Sequence, residues 1–368
     1  MIIRSEELKK VCSNILFAID NNSSSPITET LEIYTEDNFL YLSVTNHEYF
    51  VKVRVDIHDK VDFRVSVSAD LFLKLISKIT SETAEFKVKD NCLFVIGNGT
   101  YRLPLIFDGE SMLELPEITI DNVLDSFTIE RKVLNSILAY NSKELSKKYI
   151  VANPVQTMYY IDSNGCITFT TGACVNKFSL PTTIKFLLPD KIVKLFKLFS
   201  DDNVSFVYGK DSLDNGIIQT KVKFYTDNEE LTAIISSDDS LISSVPEEAI
   251  RNRAFKVYDY SITLNKQLVL NAIDRMLIFT NKAIVPCGKF TFNDDHVTIS
   301  DDNDVNFESI YYENISNVGL YSAVFDFVDL KTIISGIKSD YFTFNFGDGQ
   351  SAVIVDKDIY NVVPECII

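Results

Sequence analysis

Along this chain, stretches in which apolar residues recur every three or four positions alternate with stretches in which they recur every second position. Six windows carry the helical period: Ser5–Ile19, Ser68–Ile79, Thr128–Tyr140, Pro189–Phe199, Thr263–Arg275 and Val324–Lys338. In the second, Leu71, Phe72, Leu75, Ile76 and Ile79 form one face, and Ser68 is placed to cap the helix. In the fourth, Ile192, Val193, Leu195, Phe196 and Phe199 form the face, with Pro189 and Asp190 suited to the first turn. Runs such as Thr30–Tyr34, Phe39–Val44, Tyr49–Ile57, Ala84–Val88, Cys92–Ile96, Thr100–Ile106, Phe342–Phe346, Ala352–Val355 and Ile359–Val363 are alternating, β-branched or aromatic, which predicts strands. The segment Asn21–Pro26 ends the first helix, and Gly97-Asn98-Gly99 and Gly347-Asp348-Gly349 predict hairpin turns rather than phosphate cradles.

Successive helix starts are 63, 60, 61, 74 and 61 residues apart. That even spacing predicts one helix-plus-strands unit repeated six times, because a unit of this size buries its apolar face only against a neighbour. Taken in pairs, the units divide the chain into 1–120, 121–250 and 251–368, an α+β organisation of three duplicated helix-plus-antiparallel-sheet domains.

The composition fits a packed, strand-rich protein: 368 residues, 46% hydrophobic, 26 Phe and 17 Tyr but no Trp and only 9 Pro. The charge distribution adds more. The net charge is −17, yet the six helical windows hold 13 Lys and Arg against 8 Asp and Glu. Their basic positions include Lys9, Lys10, Lys74, Lys78, Arg131, Lys132, Lys191, Lys194, Lys197, Lys266, Lys331 and Lys338. Lys191, Lys194 and Lys197, three apart, form the clearest stripe. Basic helices on an acidic protein suit loose contact with a polyanion, with non-specific adhesion limited elsewhere.

Catalytic chemistry finds little support. There is no GxGxxG, P-loop, HExxH or GxSxG, and His47, His58 and His296 are scattered. Cys12, Cys92, Cys166, Cys174, Cys287 and Cys366 form no CxxC pair, which disfavours zinc and reads as free thiols of a reducing cytosol. Asp238-Asp239 and Asp301-Asp302-Asn303-Asp304 are acidic enough to attract a divalent ion, but the latter lacks the spaced ligands and terminal Glu of a calcium loop and reads as an acidic turn. No leader precedes Cys12 and no apolar run is long enough to span a bilayer, so the expectation is a cytoplasmic protein without a membrane segment, metal or cofactor.

Several motifs in order resemble the bacterial DNA sliding clamp, the beta subunit of DNA polymerase III. They are Pro26-Ile27 with Leu31-Glu32-Ile33 and Leu40–Thr45; Val67–Phe72 at the second helix; the acidic connector Gly109–Pro116; Thr170-Thr171-Gly172-Ala173-Cys174-Val175 with Leu180-Pro181 beyond; and the tail Tyr360-Asn361-Val362-Val363-Pro364. The chain is similar to a divergent, phage- or plasmid-encoded member. The resemblance implies a DNA clamp fold forming half of a ring, which closes head to tail as a homodimer through Lys74, Leu103, Ile278 and Phe279. It implies a processivity factor that encircles double-stranded DNA without sequence specificity, with the basic helices facing the duplex, and that has no catalytic activity. Its partners would be DNA polymerase, an ATP-dependent clamp loader and other clamp-motif proteins, captured as short apolar peptides in a pocket of Thr170, Gly172, Val175, Leu241, Val245, Val362, Val363 and Pro364. The departures are Ala173-Cys174 in place of a His-Arg pair, Glu365 near a flexible Met, and no arginine in the loop Asn21–Ser25. Two other readings stay open: a clamp-like scaffold that does not encircle DNA, and a hydrolase or transferase with an unrecognised carboxylate site.

Overall fold

A computed structural model describes residues 1–19, 25–57, 61–147, 149–213, 215–280, 285–301 and 303–366. The helices are α1 Ser5–Ile15, α2 Ala69–Lys78, α3 Arg131–Ser136, α4 Ser142–Leu145, α5 Asp190–Lys194, α6 Asp239–Ser243, α7 Glu247–Ala254, α8 Lys266–Met276 and α9 Phe327–Gly336. The chain forms two compact units, one of residues 1–134 and 191–237, the other of 135–190 and 238–368.

In the first unit, an eight-stranded antiparallel sheet runs in the order Val123–Glu130, Asn203–Ser212, Ile218–Tyr225, Glu229–Ile235, Tyr49–Asp56, Phe39–Thr45, Thr30–Glu36, Arg64–Ser68. Its middle joint sets Leu231 opposite Val51 and Glu229 opposite Val53, uniting strands far apart in sequence. A four-stranded sheet, Ile2–Arg4, Thr83–Lys89, Cys92–Ile96 and Thr100–Pro104, accompanies it. Leu8 and Ile15 of α1 and Phe72 and Ile76 of α2 are buried together with Leu31, Ile33, Leu42 and Val53 of the long sheet. Apolar residues at helical spacing and at alternate strand positions thus fill one core.

The second unit repeats the plan. Its nine-stranded sheet runs Phe186–Pro189, Met158–Asp162, Gly165–Phe169, Ala173–Lys177, Ile359–Pro364, Ser351–Asp356, Tyr341–Phe346, Tyr260–Asn265, Asn314–Asn317. Its shorter sheet orders Phe307–Tyr311, His296–Ser300, Cys287–Phe292, Tyr321–Asp326. Val269, Ile273 and Met276 of α8, Leu330 and Ile334 of α9, and Phe290, Phe292, Phe325, Phe344 and Phe346 form one core.

All six predicted helical windows contain helix, and the first begins at Ser5 as predicted, but three of the helices start three residues later than expected. Thr128–Glu130, Thr263–Asn265 and Val324–Asp326 belong to strands that run straight into α3, α8 and α9. The switch is marked by side chains: Asn265 accepts the Leu268 N–H, and Asp326 accepts those of Val328 and Asp329. Ser68 caps α2 through the Leu71 N–H, as expected. The window 189–199 holds only the short α5, followed by a 3₁₀ turn at Leu195–Leu198. Between α3 and α4 the chain opens into a π turn at Ile137–Asn141. There the buried Asn141 amide reaches the carbonyls of Cys166 and Cys174 and the Thr168 hydroxyl.

The glycine-rich segments 97–99 and 347–349 join antiparallel neighbours, as predicted, with Gly347 and Gly349 at φ 114° and 69°. Asp238 caps α6, accepting the Ser240 N–H. Buried Asp301 organises a turn: its carboxylate accepts N–H groups of Asn303, Val305 and Asn306 and the Asn306 side-chain amide at 2.6 Å. Asp302, His58, the loop residues 21–24, and Ile367 and Ile368 lie outside the described residues.

Burial alone would raise the Asp301 carboxyl, but those donors outweigh it and hold it below the ordinary value. A depressed folded pKa stabilises above the unfolded value and loses that effect as pH falls through the folded one. Asp301→Ala should therefore cost about 1–3 kcal/mol at neutral pH. The difference from wild type should shrink below about pH 4, as read by urea unfolding across pH.

Candidate functional site

The second unit contains a groove built from a hairpin, a tail strand and a helix. Strands Gly165–Phe169 and Ala173–Lys177 pair with Phe169 opposite Ala173, leaving Thr170-Thr171-Gly172 as the turn. The turn is closed by the Thr170 N–H donating to the Gly172 carbonyl at 3.0 Å. The tail strand Ile359–Pro364 adds to the same hairpin, Ala173 opposite Val362. The turn therefore lies beside Val362 and Pro364. A Cβ on residue 172 would sit 2.3 Å from the Val362 carbonyl oxygen, so only glycine admits this approach.

Helix α7 supplies the opposite wall with Ala249, Ile250 and Arg253, and Pro246 precedes it. The groove holds about 410 Å³ and is completed by Phe169, Gln350 and Ser351. On its other side α7 is fixed by charge. The Arg251 guanidinium donates to both Asp162 oxygens at 2.8 and 2.9 Å, and the Glu247 carboxylate accepts from Tyr160 Oη and, at 2.8 Å, from Lys185. Burial pushes the Asp162 carboxyl up, while the Asn164 N–H and Arg251 oppose it. At the groove's polar end Arg253 binds Asp348 and Gln350, and Lys256 lies 3.2 Å from the same Asp348.

Behind the turn is a buried charge cluster. The Lys147 side chain is fully covered, its Nζ 2.6 Å from Glu144 and 3.9 Å from Asp329. Thr170 donates to Glu144 and Thr171 contacts Asp329. Burial pushes the Asp329 carboxyl up and Lys147 counters it. Buried charges need such partners, so the cluster pins the turn from below.

Of the predicted pocket residues, Thr170, Gly172, Val362 and Pro364 line the groove. Val175, Val245 and Val363 are buried behind its surface, and half-buried Leu241 packs against the same apolar cluster as Val175 and Val245. Val175 is wholly covered because it packs on the sheet face in a buried cluster with Val155, Tyr160, Val245 and Ala254. The sequence reading missed Ile250, Arg253 and the Glu144–Lys147 pair. Pro246, Glu247 and Glu248 ahead of Arg251 and Arg253 carry an ordinary helix signature that would have found α7. Nothing local marks Lys147.

The predicted basic positions are all at least partly exposed, and many are held by acids of their own surroundings. Lys74 pairs with Asp70 at 2.8 Å, Lys132 with Glu130 at 2.6 Å, Lys331 with Asp274 at 2.5 Å, Arg131 with Asp202 at 3.1 Å and Lys191 with Glu48. Lys266 donates to the Ile337 carbonyl, and Lys197 lies over the Phe17 ring. Lys194 is exposed on α5. Lys9, Lys10, Lys78 and Lys338 form no ion pair with a described residue.

The predicted contact residues sit on different elements. Leu103 is buried in Thr100–Pro104, the edge strand of the first unit's short sheet. Ile278 and Phe279, just past α8, are 71% and 53% exposed. Ile278 borders an apolar hollow of about 770 Å³ with Leu277, Val285, Pro286 and Val328. Among the described residues no group of three His, Cys, Asp or Glu could hold a metal, and no helix is long and apolar enough to cross a membrane.

No protein-family model matches the chain, and no curated protein matches it in sequence. Solved structures do. A DNA polymerase III subunit beta sliding clamp from Pseudomonas aeruginosa, bound to griselimycin, superimposes with a TM-score of 0.83 at 15% identity, covering 100% of this chain and 99% of that one. The beta subunit from Borrelia burgdorferi gives 0.81 at 13%, and that from Thermotoga maritima 0.80 at 14%, each over 100% of this chain and 99% of the other. The chain has the α+β clamp architecture of repeated helix and antiparallel-sheet domains.

The close approach at the turn gives a direct test. Gly172→Ala should force the tail strand away and destabilise the protein by about 1–3 kcal/mol. Thermal unfolding reads the cost, and an unchanged midpoint would mean that the strand yields freely.

Proposed function

We propose that this chain is a DNA polymerase processivity factor: half of a two-fold ring that surrounds duplex DNA and captures partner peptides in the groove of Thr170, Gly172, Ile250, Val362 and Pro364. The observation that carries the reading is the full-length likeness to bacterial sliding clamps, and a groove lined by Thr170, Gly172, Val362 and Pro364 supports it. The reading keeps three clamp domains, 1–120, 121–250 and 251–368, and a divergent origin consistent with the low identity and with a phage-borne copy.

Ring closure draws support from two sheet edges. Thr100–Pro104 and Phe307–Tyr311 each end a four-stranded sheet, and they expose Tyr101, Phe307 and Tyr311. An uncovered edge flanked by apolar side chains is a template for another strand. Head-to-tail pairing of two copies would cover both edges, with Ile278 and Phe279 alongside. Sedimentation should then give about twice the chain mass of 41.7 kDa. A monomer at micromolar concentration would count against self-closure.

For DNA, exposed Lys191, Lys194 and Lys197 are the stripe to test. Replacing all three by Glu should weaken retention on nicked circular DNA, each lost phosphate contact lowering the salt slope by about 0.9. The pairing of Lys74, Lys132, Lys191 and Lys331 with acids favours a second reading, a clamp-shaped scaffold that does not encircle DNA. Release from linear but not circular DNA separates the two, since only a ring is trapped topologically.

For recruitment, the probe is a short polymerase-derived peptide with Leu and Phe anchors. Ile250→Asp places an unpaired carboxylate on the groove wall and should weaken binding by about tenfold or more at unchanged fold. Calorimetric titration showing wild-type affinity would place the peptide elsewhere. Val175 is unsuited to this test because it lies inside the sheet.

A further inference from the structure

Cys12, Cys92, Cys166 and Cys174 are buried, whereas Cys287 and Cys366 are partly exposed and their sulfurs lie 3.4 Å apart. The two thiols are 79 positions apart in sequence, so folding alone brings them together. Both backbones are fixed. Cys287 opens the strand Cys287–Phe292 opposite Asp326, and the Cys366 N–H donates to the Val324 carbonyl at 2.7 Å. The preceding Glu365 is held twice, by its N–H on the Gln350 carbonyl and by Tyr321 Oη on its carboxylate at 2.8 Å. The sulfur contact thus belongs to an anchored tail.

We infer that Cys287 and Cys366 form a reversible disulfide site, closed by a low-molecular-weight disulfide and opened by a dithiol, which staples the C-terminal tail to the neighbouring sheet. The inference is independent of DNA binding. In the first step the Cys287 thiolate attacks the reagent RSSR, one RS⁻ leaves and takes up a proton, and a mixed disulfide forms. The Cys366 thiol then loses its proton and attacks the Cys287 sulfur, releasing the second RS⁻, which is protonated in turn. Two protein thiols are oxidised and one RSSR becomes two RSH. Burial pushes the Cys366 thiol up to about 12, which disfavours it as the first attacker, and the 3.4 Å separation of the sulfurs drives the closing step. Pro364, two residues before Cys366, lines the peptide groove, so the staple would fix one end of that wall.

The test uses the full chain, incubated with oxidised glutathione or with dithiothreitol, then denatured and alkylated with a maleimide. Oxidised protein should weigh two hydrogens less before alkylation, take up two fewer maleimides, and yield a proteolytic peptide joining Cys287 to Cys366. Cys366→Ser should stop at a glutathione adduct on Cys287, and Cys287→Ser should give no intramolecular bridge. A glutathione adduct without closure in the wild type, a different cysteine pair, or bridges only between copies would each overturn the assignment.

Discussion

Everything else in this molecule depends on two backbone ladders between strands distant in sequence. One sets Glu229–Ala233 against Tyr49–Val53, and the other sets Ala173–Asn176 against Ile359–Val362. Each turns what would be two exposed sheet edges into the middle of a long sheet. Unpaired backbone groups at such edges invite association with other chains, so the joints remove a liability while they organise the fold. The second joint does more. By laying the tail strand on the hairpin of residues 165–177, it puts the Thr170–Gly172 turn beside Val362 and Pro364, and the groove exists because of that register. A slip of one residue would turn every tail side chain to the opposite face.

The support beneath the groove follows from the same constraint. A turn held against a strand at glycine distance tolerates little movement, and it is fixed by polar groups rather than by apolar packing alone. Glu144, Lys147 and Asp329 form a covered cluster that receives Thr170 and Thr171, while Asn141, turned inward by the π turn, ties the two hairpin strands to the helix above. Such groups are costly to bury and become useful only when each has its partner, which makes their arrangement specific. Across the groove, one Arg251 nitrogen donates to both Asp162 oxygens and holds α7, so that wall is also set from behind.

What the sequence made legible follows from which interactions are local. Helical windows are readable because Phe72, Ile76 and Ile79 or Ile192–Phe199 repeat an apolar face within a few residues, although Leu71, expected on that face, is exposed and Leu73 is buried instead, and Ser68 announces its helix by position alone. Starts at Thr128, Thr263 and Val324 were placed too early, because three residues cannot separate the end of an alternating strand from the first turn of a helix. The π turn at Ile137–Asn141 has no local signature. The burial of Lys147 is set by Glu144 nearby and Asp329 far along the chain, and only the second makes the site a cluster. Half of the groove, Thr170, Gly172, Val362 and Pro364, was reachable through motif resemblance. The other half, on α7, carried its signal in Pro246 and the charges that follow, and Val175 was misplaced because a motif does not say which strand residues face outward.

The paired lysines bear on how such a protein would hold a polyanion. Exposed ion pairs like Lys74–Asp70 and Lys331–Asp274 contribute little to stability, so stability does not explain them. Their effect is on the field: each acid reduces the attraction its lysine exerts beyond a Debye length of roughly 8 Å. A helix surface built this way attracts phosphate only at short range and releases it easily as salt rises. For a protein that binds tightly this would be a defect. A ring held on DNA by topology would tolerate such a surface, and a scaffold that does not encircle DNA would have no use for freer cations. The same economy fits a net charge of −17, which discourages nucleic acid from adhering anywhere else.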